Sequence, residues 1–288
     1  MGSPEPQLNR RRLIRSHLDF FGNWVHQFNI LPDHRQLRIE TDTVVLIHEQ
    51  LPPAGTGVPL QEIHGMKDAL LDDFYDMLLP TIYTPHLAGL TAIIEGAEGL
   101  AGGTTLGFVE AATRIIHEGF RYEKGATHVK SSIADALSSG AGVCQDFAHL
   151  LIAAARVRGL PARYVSGYLV PRRTAEPGAS VEEVIGGQAS HAWAEVYVPG
   201  LGWSPQDPTL GRPVGLRHVR IAYGRDYGDV APVRGVYKGH AGQRLSVDVR
   251  VRPALDDEGC EHLKETAAGP AAPPAELEPP QQQEQQQQ

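Results

Sequence analysis

The chain has 288 residues, of which 41% are hydrophobic and 21% charged, a composition typical of a soluble globular protein. Its formal charge of −8 is concentrated in residues 253–288, where eight acidic residues and one lysine sum to −7 and leave the rest almost neutral. This distribution excludes the basic surface of a nucleic-acid-binding protein, and the lack of any apolar run of about 18 residues excludes a membrane-spanning helix.

The cysteines and the N-terminus bear on the cellular compartment. Of the two cysteines, Cys144 and Cys260, the second lies in a polar, acidic run, which argues against a disulfide scaffold. The arginines at 10–12 are followed by polar residues rather than by an apolar segment, so the sequence predicts no signal peptide. We therefore expect a cytoplasmic protein, and the sequence leaves its oligomeric state open.

In chain order, the first predicted element is a β-hairpin. Residues 24–30 and 37–47 both alternate apolar and polar side chains, and a short turn separates them. A stretch rich in proline and glycine follows at 52–57 and reads as a linker. The pattern predicts a small β unit at the N-terminal end of the chain.

Helical periodicity dominates the middle of the chain. Helices are predicted at residues 59–79, 104–122 and 131–137, of which 104–122 has an amphipathic pattern, and a glycine-rich break is predicted at 96–103. Residues 142–158 carry apolar side chains nearly all the way round, which indicates a buried central helix.

Strand patterns return after the helices. They lie at residues 162–169, 191–198, 216–222 and 244–251, with a loop at 171–187. The order of strands, helices and strands predicts an α+β fold in which a helical layer packs on an antiparallel sheet. We assign residues 59–252 to this main domain and expect the acidic, Pro- and Gln-rich segment 253–288 to be disordered.

Cys144 is the first candidate functional residue. It is preceded by Gly140-Ala141-Gly142-Val143 and followed by the predicted central helix, so its thiol should lie in the first helical turn. Free N–H groups and the helix dipole favour a thiolate there, and they could also stabilise an oxyanion on an acyl substrate. Alone, the cysteine is weak evidence, because a lone cysteine in an apolar helix is more often a core residue.

A histidine and an aspartate follow in the strand region. His191 opens the run HAWAEVYV, and Asp207 comes 16 residues later, beyond the turn at 199–202. Two antiparallel strands joined by that turn would bring Asp207 within reach of His191, so that the aspartate could accept from one ring nitrogen while the other takes the thiol proton. Each residue alone is more often a solvated histidine or a turn aspartate, but the three in this order are not expected by chance.

At these residues the sequence resembles the transglutaminase-like superfamily, in particular a bacterial branch of cysteine-protease-like members with a β-rich N-terminal region. The resemblance rests on GVCQDFAHLLIAAARVRGLPARYVSGYL (142–169), ASHAWAEVYVPGLGWSPQDPT (189–209) and GRDYGDVAPVRGVYKG (224–239), with further similarity over 19–47. It implies a papain-like core with a cysteine-bearing helix packed on a sheet, and a catalytic triad of Cys144, His191 and Asp207. It also implies an accessory β unit, which we place at residues 1–58.

Several residues near these segments are candidates for substrate binding or for support of the triad. They are Gln145, Asp146, Tyr168, Trp193, Arg225, Asp226 and Tyr227, and Arg163 and Tyr164 could also line the site. A buried hydrogen-bonding network would explain several of them equally well. No residue pattern indicates a metal or a cofactor, and the sequence identifies no second donor for an oxyanion hole.

The resemblance to bacterial, protease-like members of the superfamily implies an enzyme that hydrolyses a peptide or amide bond. Cys144 would attack the carbonyl, form a thioester acyl-enzyme and release the product to water. Transfer of the acyl group to an amine, as in a transglutaminase, would use the same residues and stays open. A non-catalytic peptide-binding scaffold is the third reading, although a pseudo-enzyme would more often have lost a triad member. The expected partner is a protein or peptide substrate of unknown identity.

Overall fold

A computed structural model describes residues 14–32, 34, 36–41, 43–47, 55–128, 131–170, 190–236, 238, 247 and 249–250. The chain divides into two compact units, and every helix and strand named below belongs to the larger one. Of the smaller unit, residues 43–46 are described and contain neither helix nor strand. None of the helices in the described ranges has the length and apolar character needed to cross a membrane.

A short antiparallel hairpin opens the described chain, in which β1 (Arg15–Leu18) pairs with β2 (Trp24–Gln27). The Asp19 carboxylate closes the turn, because its Oδ1 accepts from the Asn23 N–H at 2.8 Å. Gly22 has a φ of 82°, a left-handed conformation that favours glycine.

The predicted pairing of residues 24–30 with residues 37–47 is wrong. β2 pairs with the strand before it, and the described residues of 37–47 form no strand. Alternation predicts a strand but does not say which neighbour it pairs with. Here the local bonds of Asp19 close the shorter connection.

The helical layer lies between residues 60 and 157. Its α-helices are α1 (Lys67–Leu78), α2 (Thr91–Leu100), α3 (Thr105–Gly119), α4 (Ile133–Ser139) and α5 (Cys144–Val157), and 3-10 turns at Leu60–Met66 and Ala88–Leu90 precede α1 and α2. A short parallel pair, β3 (Arg121–Tyr122) and β4 (Ala141–Gly142), brings the chain to the start of α5. The helices predicted around α1, α3, α4 and α5 are confirmed.

Helix α2 was not predicted, because its glycines fall in the expected break at 96–103. One of them, Gly96, faces α3, where an added Cβ would lie 3.1 Å from Cδ1 of Ile115. The glycine therefore permits a close approach of the two helices, a tertiary reason that local propensity cannot show.

A five-stranded antiparallel sheet forms the second layer, with the strand order β8-β7-β6-β5-β9. The strands are β5 (Ala162–Leu169), β6 (His191–Val198), β7 (Gly202–Asp207), β8 (Arg212–Pro213) and β9 (His218–Gly224), and the short helix α6 (Tyr227–Val230) follows. The predicted α+β architecture, with helices on an antiparallel sheet, is confirmed. The predicted loop at 171–187 and tail at 253–288 lie outside the described residues, as does most of the strand predicted at 244–251.

Helix α5 forms the centre of the fold, and every residue at 145–156 is buried, as the all-round apolar pattern predicted. Alternate residues of β6, Ala192, Ala194, Val196 and Val198, belong to the same apolar core. The period of two in the strand therefore presents one face to the helix layer.

A buried arginine, Arg156, links the C-terminal end of α5 to the surrounding chain. Arg156 is 3% exposed, and its guanidinium donates at 2.7–2.9 Å to the carbonyls of Met77, Ala162 and Arg225 and to the Thr84 hydroxyl. These bonds join α5 to α1, to the start of β5 and to the segment after β9.

The N-terminal hairpin is tied to the edge of the sheet. β9 is an outer strand, and the Asn23 side chain donates to the Tyr223 carbonyl at 2.8 Å and accepts from its N–H at 3.0 Å. The amide thus satisfies edge-strand groups much as another strand would.

Candidate active site

Cys144 is the first residue of α5 and is partly exposed. The preceding residue, Val143, is extended, and its N–H donates to the Asp146 carboxylate at 2.8 Å. The same carboxylate accepts from the Thr127 hydroxyl at 2.5 Å. These bonds fix the first turn of the helix and hold the thiol at the positive end of the helix dipole.

Asp146, one of the predicted supporting residues, explains the glycine before the cysteine. A Cβ at Gly142 would lie 2.8 Å from Oδ2 of Asp146. Burial raises the pKa of Asp146, while the bonds from Thr127 and Val143 oppose the rise. Gly142 is therefore required by the carboxylate that caps the cysteine helix.

His191 begins β6 and Asp207 ends the adjacent antiparallel strand β7. The tight turn between the strands uses Gly200 and Gly202, whose φ values of 85° and 91° favour glycine. The structure brings the two side chains together, with Nε2 of His191 2.7 Å from Oδ2 of Asp207.

The histidine and the aspartate form a buried ion pair, since neither side chain is exposed. Burial disfavours the imidazolium, but the carboxylate of Asp207 and the nearby Cys144 outweigh it and raise the pKa of His191 to about 10. Burial also disfavours the carboxylate, yet His191 and His218 hold the pKa of Asp207 well below its usual range. At neutral pH the pair is therefore imidazolium and carboxylate.

Cys144 is the other neighbour of the His191 ring. Its sulfur favours the imidazolium as a hydrogen-bond partner and, in the thiolate form, through its charge. Within the described residues, however, Nδ1 of His191 has no partner with full hydrogen-bond geometry, so the contact is looser than the bond to Asp207. Catalytic hydrogen bonds are often long before substrate binds, so this geometry is compatible with proton transfer.

Asp207 is held by three further donors. Its Oδ1 accepts from the N–H groups of Thr209 at 2.9 Å and Leu210 at 3.2 Å. Its Oδ2 accepts from Nε2 of a second histidine, His218, at 2.9 Å. Sequence reasoning missed His218, because it stood in a predicted strand with no motif to connect it to Asp207.

Trp193, another predicted supporting residue, packs against both histidines. Its ring centroid lies 6.1 Å from that of His191 and 5.3 Å from that of His218. The indole covers Gly167 of β5, where a Cβ would come within 2.5 Å of it. The tryptophan therefore limits the movement of the two imidazoles.

The predicted residues at 225–227 make their described polar contacts away from the triad. The Arg225 side chain pairs with Asp229 at 2.9 Å, and Asp226 accepts from the N–H of Gly228 at 2.6 Å to cap α6. The N–H of Tyr227 donates to Nε2 of His149, a buried residue of α5, at 3.1 Å. These residues join the hydrogen-bonding network that surrounds α5.

The remaining candidates are scattered along the site and the sheet. Gln145 follows Cys144 in α5 and is buried, and Tyr164 is buried near enough to Cys144 for the thiol to add to the effect of burial in raising the tyrosine pKa. Arg163 pairs with Glu195 at 2.7 Å. Among the described residues, no hydrogen bond or ring contact joins Tyr168 to the triad.

The triad region also has donors spaced as in a metal site. The ligand atoms of His191, Asp207 and His218 lie within 4.8 Å of one another. Each histidine is already hydrogen-bonded to Asp207 through Nε2, so a metal held by these nitrogens would have to replace both histidine–aspartate bonds.

One family model matches the chain, and several sequence relatives cover most of its length. The model of the transglutaminase-like superfamily matches residues 97–208, a span that contains Cys144, His191 and Asp207. An uncharacterised protein from Mycobacterium leprae is 36% identical over 235 residues, covering 82% of this chain and 80% of that protein. An uncharacterised protein from Mycobacterium tuberculosis is 32% identical over 252 residues, covering 83% and 77%.

Two solved structures are also similar. A candidate cysteine protease from Cytophaga hutchinsonii is 28% identical, with a TM-score of 0.45 over 65% of this chain and 60% of that one. The periplasmic domain of TgpA from Pseudomonas aeruginosa is 26% identical, with a TM-score of 0.34 over 47% and 46%. Neither TM-score reaches 0.5, so the assignment to a family rests on the family model and the sequence relatives rather than on these structures.

Proposed function

Since the chain belongs to the transglutaminase-like superfamily, we propose that it is a cysteine hydrolase that cleaves a peptide or amide bond through a thioester. The His191 ring carries the proposal, because it binds Asp207 through Nε2 at 2.7 Å and has Cys144 as its other neighbour. A nucleophile, a proton carrier and an orienting carboxylate thus stand side by side. The proposed substrate is a protein or peptide.

Acylation uses the charged pair. The Cys144 thiolate attacks the carbonyl carbon, which forms the C–S bond and an oxyanion. The first N–H groups of α5 stabilise the oxyanion, because they have no acceptor within the helix. His191 gives its Nδ1 proton to the leaving nitrogen as the C–N bond breaks, so a neutral amine departs, the thioester remains and the imidazole is neutral.

Deacylation restores the resting state. Neutral His191 takes a proton from water at Nδ1 as the water oxygen attacks the thioester carbonyl. The C–S bond then breaks, the acid product leaves and Cys144 returns to thiolate beside an imidazolium. Asp207 stays ionised throughout, because its pKa lies well below its usual range.

An activated ester tests acylation without knowledge of the natural substrate. We expect p-nitrophenyl acetate to give a rapid burst of p-nitrophenol and an acetyl group on Cys144, located by peptide mass spectrometry. Cys144→Ser and His191→Ala should abolish the burst, while His64→Ala, which changes an exposed histidine, should not. Acetylation of Cys144 no faster than that of Cys260 would favour the scaffold reading instead.

The acceptor is tested on the acetylated enzyme. With water as acceptor, acetate is the main product whether or not a primary amine such as methylamine is present. If the amide of the added amine forms faster than acetate, the proposal of hydrolysis is replaced by acyl transfer. Both outcomes preserve Cys144 as nucleophile, because the two reactions share the thioester.

A further inference from the structure

We propose that His218 is a positioning residue of the triad, which fixes the Asp207 carboxylate so that Asp207 in turn holds His191 toward Cys144. The proposal rests on the proposed function and adds a fourth side chain to its machinery. It starts from one geometric fact: Nε2 of His191 and Nε2 of His218 lie 2.7 Å and 2.9 Å from the same oxygen, Oδ2 of Asp207.

The shared oxygen lies in a dry environment. The Asp207 side chain is 0% exposed and that of His218 is 3% exposed, so water hardly competes for these bonds. A buried carboxylate needs donors on its lone pairs, and a ring nitrogen without a proton so close to it would be repelled. Both histidines must therefore present an N–H at Nε2.

The turn before β9 selects the required tautomer of His218. The N–H of Gly215 is directed at Nδ1 of His218 at 3.2 Å, and because an N–H can only donate, this nitrogen must carry a lone pair. The Gly215 carbonyl is equally close to Nδ1 and also accepts from the N–H of His218 at 3.0 Å. With its proton on Nε2, His218 accepts from the Gly215 N–H and aims that proton at Asp207.

The bond joins parts of the fold that are otherwise far apart in the sheet. Asp207 ends β7 and His218 begins β9, and β6 and β5 lie between these strands. The backbone N–H groups of Thr209 and Leu210 both donate to Oδ1 of Asp207. Among the described residues, Oδ2 is therefore restrained by the two histidines, His191 and His218. Without His218 the carboxylate could tilt, and the His191 ring would follow.

The contact with His218 also supports the ionic pair of the triad. His218 helps to hold the pKa of Asp207 low, and the Asp207 carboxylate in turn raises the pKa of His191. Trp193 packs against both rings and confines them, so a change in the donor should be felt at His191 rather than absorbed by movement.

Three substitutions of His218 distinguish the effect of losing the N–H donor from the effect of losing the ring. His218→Phe keeps a ring but has no donor, His218→Gln places an amide nitrogen near the position of Nε2, and His218→Asn places one near Nδ1, away from Asp207. The measurement is the rate constant for iodoacetamide alkylation of Cys144 near neutral pH, in the full chain with Cys260→Ser. We expect His218→Phe and His218→Asn to slow alkylation about tenfold and His218→Gln to stay close to the unsubstituted rate.

Controls distinguish the failure of this proposal from the failure of the proposed function. Alkylation that is unaffected by His191→Ala would remove the proposed function and this proposal with it. Two outcomes would overturn the role of His218 alone, provided that His191→Ala slows the alkylation of Cys144. In the first, His218→Phe leaves the alkylation rate unchanged. In the second, His218→Gln lowers the rate as much as His218→Phe does. Should His218→Phe not fold, as judged by circular dichroism, the comparison of His218→Gln with His218→Asn decides in the same way.

Discussion

Two buried histidines, His149 and His191, belong to the same core but are driven to opposite protonation states. Nε2 of His149 accepts from the Tyr227 N–H at 3.1 Å, and the ring packs against Tyr83 and Tyr164. Burial, helped by the positive charge of Arg156, lowers the pKa of His149 to about 3. Burial acts in the same direction on His191, but the charge of Asp207 reverses it and raises the pKa to about 10.

The difference shows that the partner, and not burial, decides what a buried histidine can do. His149 belongs with Arg156 and residues 225–227 to a group that we call the Arg156 network, whose polar groups bind mainly backbone. His191 belongs with Cys144, Asp207 and His218 to the triad cluster. We expect the Arg156 network to determine stability and the triad cluster to determine reactivity.

The largest expected effect is on stability, at Arg156. Arg156→Met leaves four buried acceptors without their donor and should lower the free energy of unfolding by about 3 kcal/mol or more. The matched control is Arg158→Met, whose pair with Glu98 is partly exposed and should be worth about 1 kcal/mol or less. Urea unfolding measures the stability of both variants. Equal losses would contradict the special contribution assigned to the Arg156 network.

The triad cluster should show the opposite behaviour. Asp207→Asn removes the charge that keeps His191 protonated, so alkylation of Cys144 near neutral pH should fall about 100-fold. Asp229→Asn is the matched control, because this carboxylate pairs with Arg225 in the Arg156 network. If Asp229→Asn slows alkylation as much as Asp207→Asn, the division into two regions fails.

The two histidines should also affect the pH dependence of stability in opposite directions, His149 on the acidic limb of the stability curve and His191 on the alkaline limb. His149 gains a proton on unfolding, so its contribution is lost as pH falls from 6.5 toward about 3. His191 loses its proton on unfolding, so its contribution is lost as pH rises from 6.5 toward about 10. A single titrating group contributes at most about 1.4 kcal/mol per pH unit to either slope.

Urea unfolding at several pH values separates these limbs. His149→Phe should flatten the acidic limb and leave the alkaline one, while His191→Gln should do the reverse. The slopes decide the matter, because either substitution also shifts the stability at every pH. A flattening of the same limb in both variants would contradict the assigned protonation states.

The smallest effect is expected at the hairpin, outside both regions. Asn23→Ala removes two neutral hydrogen bonds to the edge strand and one to the Asp19 carboxylate, and should cost about 1–2 kcal/mol without changing the alkylation of Cys144. The exposed Asn29→Ala should cost almost nothing. A slower Cys144 in Asn23→Ala would show that the edge strand β9 is coupled to the triad cluster.

Local sequence patterns were sufficient to predict where several residues of the candidate site lie in the fold. The all-round apolar helix placed Cys144 at a helix start, and the tight turn at 199–202 predicted adjacent strands carrying His191 and Asp207. These features involve neighbours in sequence, where periodicity and turn chemistry are informative.

Residues that depend on distant partners were not accessible to the same reasoning. His218 is brought to Asp207 by the pairing of β9 with β5, a pairing that contains a register shift between Ser166 and Gly167. Arg156, at the end of an apolar helix, is buried only because carbonyls from three other segments converge on it. Such contacts follow from register and packing, which one sequence does not reveal.

The most direct test of the account is the protonation state of the two buried histidines, read from the nitrogen shifts of the imidazole rings by NMR near neutral pH. We predict that both nitrogens of His191 carry protons while His149 stays neutral, and that Asp207→Asn makes His191 neutral as well. A His191 that is already neutral at that pH in the unsubstituted chain would contradict the charged pair on which the proposed activation of Cys144 depends.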